Sequence, residues 1–173
     1  MLNIRPATAD DAALLMRFVR ELAIYEKAEH EVLATEEDLR RDIFGPDSRV
    51  EALICEWQGE PIGHAIFFMN YSTWLGKYGI FLEELYITPE QRGVGAGKAL
   101  LRRVAQIAVE RGCGRFEWNV LDWNEPAIQF YESLGAKAQS EWLGYRMTGQ
   151  ALAELGAPGT GAPGTGAPGG EAS

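Results

Sequence analysis

Glu83-Glu84-Leu85-Tyr86-Ile87-Thr88-Pro89-Glu90-Gln91-Arg92-Gly93-Val94-Gly95-Ala96-Gly97 is the stretch that decides how the chain folds. It begins as an apolar strand, breaks at Thr88-Pro89, crosses a glycine-rich turn and enters an amphipathic helix near Lys98. A strand–turn–helix junction gathers backbone N–H groups and the positive end of a helix dipole at one spot, which makes it a cradle for an anion. Three anion-binding patterns compete for Arg92 to Lys98. A dinucleotide fingerprint beginning at Gly93 needs glycine where Lys98 stands. A P-loop lacks both its spacing and the hydroxyl after the lysine. The pattern R-x-x-G-x-G fits as Arg92, Gly95 and Gly97. Against all three stands a turn whose glycines merely let the helix pack on its strand.

Before this stretch, Leu2 to Pro6 alternates as a short strand closed by proline. Asp10 or Asp11 then caps a helix with Leu14, Leu15, Phe18, Val19, Leu22 and Ala23 at helical spacing. Thr35-Glu36-Glu37-Asp38 starts a second helix that stops at Gly45-Pro46. Val50–Trp57 and Pro61–Tyr71 form a hairpin joined by Gln58-Gly59-Glu60, Ser72 to Gly79 reads as a loop, and Ile80 to Thr88 as a central strand. Beyond the glycines come a helix ending at Gly112 and a strand carrying Phe116, Trp118 and Val120. Asn124-Glu125-Pro126 opens another helix, as cap and first turn. Ala138–Ser140 and Gly144–Thr148 are expected to be a last pair of short strands.

Residues 1–155 therefore read as one α+β domain, its sheet mostly antiparallel up to the glycine turn and followed by a β-α-β crossover. From residue 156 to residue 173 the Gly/Ala/Pro/Thr-rich composition predicts a disordered tail.

In the 173 residues, 46% hydrophobic and 24% charged content is globular. A net charge of −9 argues against a nucleic-acid partner and suits a cationic small substrate. No apolar run approaches the roughly 20 residues of a membrane span. Met1 to Arg5 leads into a polar turn, so no signal peptide is expected. Cys55 and Cys113 sit in apolar segments without metal-ligand spacing, which points to reduced thiols in a cytoplasmic protein and to no metal.

Further motifs move the odds at the glycine turn. Ile4-Arg5-Pro6-Ala7-Thr8, Glu21-Leu22-Ala23 with Tyr25-Glu26, Trp74-x-Gly76-Lys77, Leu82-Glu83, and Trp123-Asn124-Glu125-Pro126 with Phe130-Tyr131 accompany the turn. Together they resemble the GNAT N-acetyltransferase superfamily, and within it the diamine (spermidine/spermine) acetyltransferase branch, over residues 3–148.

That resemblance implies the GNAT fold and a direct transfer of acetyl from acetyl-CoA to a primary amine in a ternary complex. It implies that Arg92, Gly93, Val94, Gly95, Ala96, Gly97 and Lys98 wrap the pyrophosphate. Backbone of Leu85, Tyr86 and Ile87 would pair with the pantetheine arm, and Asn124, Glu125, Pro126 and Ala127 would close the other side. Tyr131 is the implied general acid. Glu83 is the implied amine contact and base, since it and Glu84 alternate to opposite faces of a strand. Tyr25, Glu26, Glu117, Trp118 and Asn119 match further amine contacts. Polyamine enzymes carry an acid where this chain has Leu143, with Glu141 nearby, so the substrate stays open between a polyamine, a diamine and a lysine-like amine. A homodimer is implied as well. Two other functions compete: a non-catalytic acetyl-CoA-binding regulatory module, and an enzyme acetylating protein amino groups. His30 and His64 read as surface and structural, and neither cysteine has a base beside it.

Overall fold

A computed structural model describes residues 1–158, in two compact units, Met1–Asn124 and a second from Glu125 onward. The first unit is built on a five-stranded sheet in the order β1 (Leu2–Pro6), β2 (Val50–Trp57), β3 (Glu60–Ser72), β4 (Lys77–Ile87), β5 (Phe116–Trp118). β1 to β4 are antiparallel, and β5 joins β4 in parallel through the crossover helix α3 (Ala96–Glu110). This is the mixed, mostly antiparallel α+β sheet expected from the sequence.

The helices α1 (Ala12–Tyr25) and α2 (Glu36–Phe44) bury Leu15 and Ile43 with Ala52, Ile54 and Ile66 of the sheet. α2 starts where Thr35 Oγ1 accepts the Asp38 N–H at 3.2 Å, the N-cap expected from its sequence. Leu15 and Phe18 are completely buried. Burial of such side chains stabilises by roughly 1.5–3 kcal/mol each. The opposite face of the sheet packs on α3, which buries Leu100, Leu101 and Val104.

Two hairpins show how turn chemistry sets register. Gln58 and Gly59 both have positive φ, 55° and 89°, which gives a two-residue turn whose twist matches its strands. The second hairpin corrects the sequence reading. The loop expected at Ser72–Gly79 shortens to residues 73–76, since β3 runs to Ser72 and β4 begins at Lys77. Tyr71 opposes Tyr78, with their rings 5.1 Å apart edge-to-face, and this cross-strand pair extends the ladder past the point where the apolar run ends.

The second unit contains α4 (Glu125–Ser133) and α5 (Gly149–Gly156). The strands expected at Ala138–Ser140 and Gly144–Thr148 do not form. Residues of both parities are exposed there, including Leu143 and Tyr145, so the alternation has no face to bury. The expected tail lies outside the described residues from position 159 onward.

Arg5 ties β1 to its neighbours. Its guanidinium donates to both Asp11 carboxylate oxygens at 2.7 and 2.9 Å and to Glu56 at 2.7 Å. Asp11 also accepts the Thr8 N–H at 2.8 Å, so its carboxylate faces back along the chain rather than capping α1. Those bonds, the Arg5 bond first, hold the Asp11 carboxyl at about 2, below its ordinary 3.8. A carboxyl depressed on folding stabilises above its ordinary value and loses that contribution as pH falls. Asp11→Asn should therefore cost about 2 kcal/mol at neutral pH, the scale of charge-assisted hydrogen bonds. In urea unfolding the gap to wild type should narrow below pH 3.8 and close near pH 2.

Candidate active site

β4 pairs with β3 along its whole length but with β5 only over Ile80–Leu82. Among the described residues, no strand covers the other edge of β4 from Glu83 to Ile87. The change coincides with a register shift. Phe67 opposes Leu82 and Ile66 opposes Glu84, which makes Glu83 the extra residue of a bulge. The simple alternation expected at Glu83-Glu84 is thereby broken. Leu82 shares the α3 face with Phe67, while Glu84 and Tyr86 share the α1 face with Ile66 and His64. Glu83 is exposed at the bulge and Glu84 is half-buried.

Leu85, Tyr86 and Ile87 lie along the uncovered edge, and the chain passes from them through Pro89–Gln91 into the turn. Gly93 and Gly95 adopt φ of 92° and 84°, in the region that favours glycine, and a Cβ on either would meet open space. Gly95 is the N-cap of α3, which starts at Ala96 rather than near Lys98, because a left-handed glycine admits the chain to the helix two residues early. No side chain caps this end, which leaves the first N–H groups of α3 as available donors. Arg92, Gly93, Val94 and Lys98 are exposed beside it. The open turn, the uncapped helix start and the uncovered strand edge suit a ligand with a phosphate group and a chain that pairs like a strand.

On the α1 face, His64 is completely buried and its Nε2 lies 3.0 Å from Glu84 Oε2. Phe18 and Tyr86 flank the imidazole at ring separations of 5.6 and 6.4 Å. Burial, then a hydrogen bond to Glu21, pushes the Tyr86 hydroxyl up to about 12. Burial and then the charge of Glu84 raise the Glu26 carboxyl above its ordinary value, so Glu26 and Glu84 act on a common space. The sequence named Glu26 but passed over Glu84 and its histidine. The signal lay in the one-residue insertion, which no residue type marks.

Tyr25 joins the two sides. Its hydroxyl donates to Asn124 Oδ1 at 3.3 Å, and the Arg92 guanidinium lies 4.7 Å above its ring. Arg92 Nε also donates to the Ile87 carbonyl at 3.2 Å. Trp123 packs 6.3 Å from Tyr25 with Lys27 over its face. Glu117 is committed elsewhere: its two oxygens accept from Asn70 at 2.9 Å and Arg115 at 3.1 Å. Trp118 opposes Leu82 and stacks against Phe116 at 5.0 Å, and Asn119 is exposed beyond the strand. Burial raises the Cys55 thiol to about 11, away from nucleophilic use. No group of three metal-ligating side chains occurs among the described residues.

Within the second unit, Glu125, Pro126 and Ala127 form the first turn of α4, which follows directly on Asn124. Tyr131 lies in the same helix, half-buried, with its ring 5.3 Å from Phe130.

The description "Acetyltransferase (GNAT) family" matches residues 16–136. The chain is 38% identical to the thialysine N-epsilon-acetyltransferase of Mus musculus, over 88% of this chain and 96% of that protein. It is 30% identical to the L-ornithine N5-acetyltransferase NATA1 of Arabidopsis thaliana, over 88% and 87% respectively. Among solved structures, an integron cassette protein from V. cholerae matches with a TM-score of 0.74 and 25% identity, over 89% of this chain and 96% of that one.

The turn makes a contrast that two alanines can measure. Gly95→Ala forces a Cβ into left-handed backbone and should cost about 1 kcal/mol. Gly97 has ordinary helical φ, with its nearest contact to an added Cβ at 3.9 Å. Gly97→Ala should instead gain about 0.5–1 kcal/mol in urea unfolding.

Proposed function

Because this chain belongs to the acetyltransferase (GNAT) family and is an enzyme that acetylates amines, we propose that it transfers acetyl from acetyl-CoA to the primary amine of a small, cationic, lysine-like substrate. The observation that carries the proposal is the uncovered edge of β4, which runs from the acids at Glu83 and Glu84 into the glycine turn. Support for the substrate class comes from the relatives that act on thialysine and ornithine, both covered over most of their length. A human spermidine/spermine N(1)-acetyltransferase-like protein is 32% identical, but this chain spans only 23% of it. Leu143, exposed where polyamine enzymes carry an acid, also weighs toward the shorter amine.

In this reading Arg92 to Lys98 hold the pyrophosphate of acetyl-CoA. Leu85 to Ile87 offer backbone groups to its pantetheine arm, and Asn124 to Ala127 close the far side. Bound there, acetyl-CoA supplies a thioester carbonyl and a thiol leaving group. A main-chain N–H of the β4 edge polarises that carbonyl as an oxyanion donor. Tyr25 and Glu26 bind the ammonium, with Trp118, Asn119 and Glu117 at the periphery of the site. Glu83 accepts the proton that the ammonium gives up, directly or through water. Tyr131 Oη holds the proton that the departing sulfur takes. The same reading includes a cytoplasmic homodimer without nucleic-acid or membrane partners. The net charge of −9 supports the absence of a polyanionic partner.

Steady-state acetylation of thialysine, lysine, ornithine, putrescine, spermidine and spermine, side by side, tests the substrate class. The highest kcat/KM is expected with thialysine, lysine or ornithine. No activity with any of the six would turn the reading toward a cofactor-sensing module. Tyr131→Phe should retain acetyl-CoA binding in calorimetry and lose roughly 10²-fold or more in kcat, the scale of general acid catalysis. A near-normal kcat in that variant would remove Tyr131 from the mechanism.

A further inference from the structure

His64 is the most deeply placed polar side chain of the acid-lined face, and the reaction as set out above does not use it. Its ring is completely buried on β3, two register positions from Ile66 at the bulge, between Phe18 of α1 and Tyr86 of β4. Nε2 meets Glu84 Oε2 at 3.0 Å. Nδ1 is buried with no hydrogen-bond partner among the described residues. These two facts fix the tautomer. A proton on Nδ1 would leave a buried N–H unsatisfied and set the Nε2 lone pair against a carboxylate oxygen. A proton on Nε2 makes a charge-assisted bond to Glu84 and leaves only an unfilled acceptor at Nδ1.

Resting on the amine-acetylating reading above, we propose that His64 is a positioning residue: its Nε2–H clamps Glu84 at one oxygen and presents the other to the substrate ammonium beside Glu26. The geometry gives the clamp a purpose. Glu84 follows the extra residue of a bulge, where β5 no longer supports β4, so the strand alone would hold the carboxylate loosely. Fixing one oxygen limits the rotamers of the other, and orders the acid before the substrate arrives. Charged side chains near the pair come from α1 and from the segment after β4, where Arg92 and Glu90 act on the Tyr86 hydroxyl. From α1 come Glu26, Glu21, which holds the Tyr86 hydroxyl, and Arg17, whose guanidinium stacks on the far ring Phe18 at 4.9 Å. From β2 comes Ile54, opposite His64. Among the described residues, Glu84 is the carboxylate within hydrogen-bond distance of the imidazole.

Three variants and one spectroscopic measurement test this. His64→Phe removes the donor and keeps a planar apolar ring. His64→Gln returns a donor on a flexible arm. Glu84→Gln keeps the shape and removes the charge. For His64→Phe, kcat/KM for the amine should fall several-fold, because the carboxylate that meets the ammonium loses the donor that orders it. KM for the amine should rise several-fold, with KM for acetyl-CoA unchanged. His64→Gln should restore most of both. In nitrogen NMR of the wild type, where His30 is the other histidine, His64 should show the Nε2–H tautomer and shift on addition of the acetylated amine. Glu84→Gln should abolish that amine-induced shift. An amine KM in His64→Phe equal to that of wild type, an Nδ1–H tautomer, or a failure of His64→Gln to rescue the defect of a folded His64→Phe would each overturn the positioning role. Wild type inactive with every amine would instead overturn the reading on which it rests, while the tautomer measurement would still decide the clamp itself. Should His64→Phe fail to fold, the amine KM of Glu84→Gln, expected to rise several-fold, and the tautomer decide the matter.

Discussion

The shift of register between Ile66 and Phe67 places one unpaired residue, Glu83, in the middle of β4, and much of the site follows from it. Carrying the hairpin register onward without that insertion would set Leu85 opposite His64 and Glu84 opposite Ala65. The carboxylate would then point at α3 and an apolar side chain at the histidine. With the insertion, Glu84 and Tyr86 face α1 while Leu85 and Ile87 face α3. The same residue marks where β5 parts from β4, since the parallel ladder stops at Leu82. A single bulge thus turns the acids to one face and frees the strand edge beside them. The amine side and the cofactor side of the proposed reaction depend on one irregularity.

Much of the fold was legible in the sequence because its elements carry strong local signals. Thr35 with Asp38 and the strand at Val50–Trp57 each gave an element whose bounds the structure reproduces closely. Two misreadings share a cause. Lys77–Gly79 looked like loop because its residues are polar or small, yet the Tyr71–Tyr78 pair supports a ladder there. Ala138–Ser140 and Gly144–Thr148 read as short strands, yet all of their residues are exposed. Strand formation is decided by a partner across the sheet, which local pattern does not report.

At the site the division is similar. The glycine turn could be read directly, because positive φ at Gly93 and Gly95 demands a residue type that the sequence displays. The acid pair could not. Glu83 and Glu84 are identical in type, and only the cross-strand register tells which one meets His64. Arg92 shows a further limit. Assigned to an anion from its motif, it lies over Tyr25, assigned to the amine from another. Two residues far apart in sequence and in expected role share one contact, and both border Asn124 or the β4 terminus.

Proton removal from the amine sets the requirement that these groups must meet. A lysine-like ammonium ordinarily titrates near 10.4 and a glutamate near 4.3, so direct transfer between them in water is uphill by about 6 pKa units, or about 8 kcal/mol. Raising one carboxyl by burial, as at Glu26, recovers only part of that gap. Acids buried around an ammonium also favour its charged form, which works against removal. A site made solely of enclosed acids would hold its substrate and fail to deprotonate it. The proposed reaction therefore needs an outlet as well as a pocket. Glu83, exposed at the bulge one residue before the clamped Glu84, meets solvent where an accepted proton can leave. The enclosed acids then select and orient the amine, and the exposed one carries its proton away. That division of labour requires two adjacent carboxylates of different exposure, which Glu83 at the bulge and half-buried Glu84 provide beside the open β4 edge.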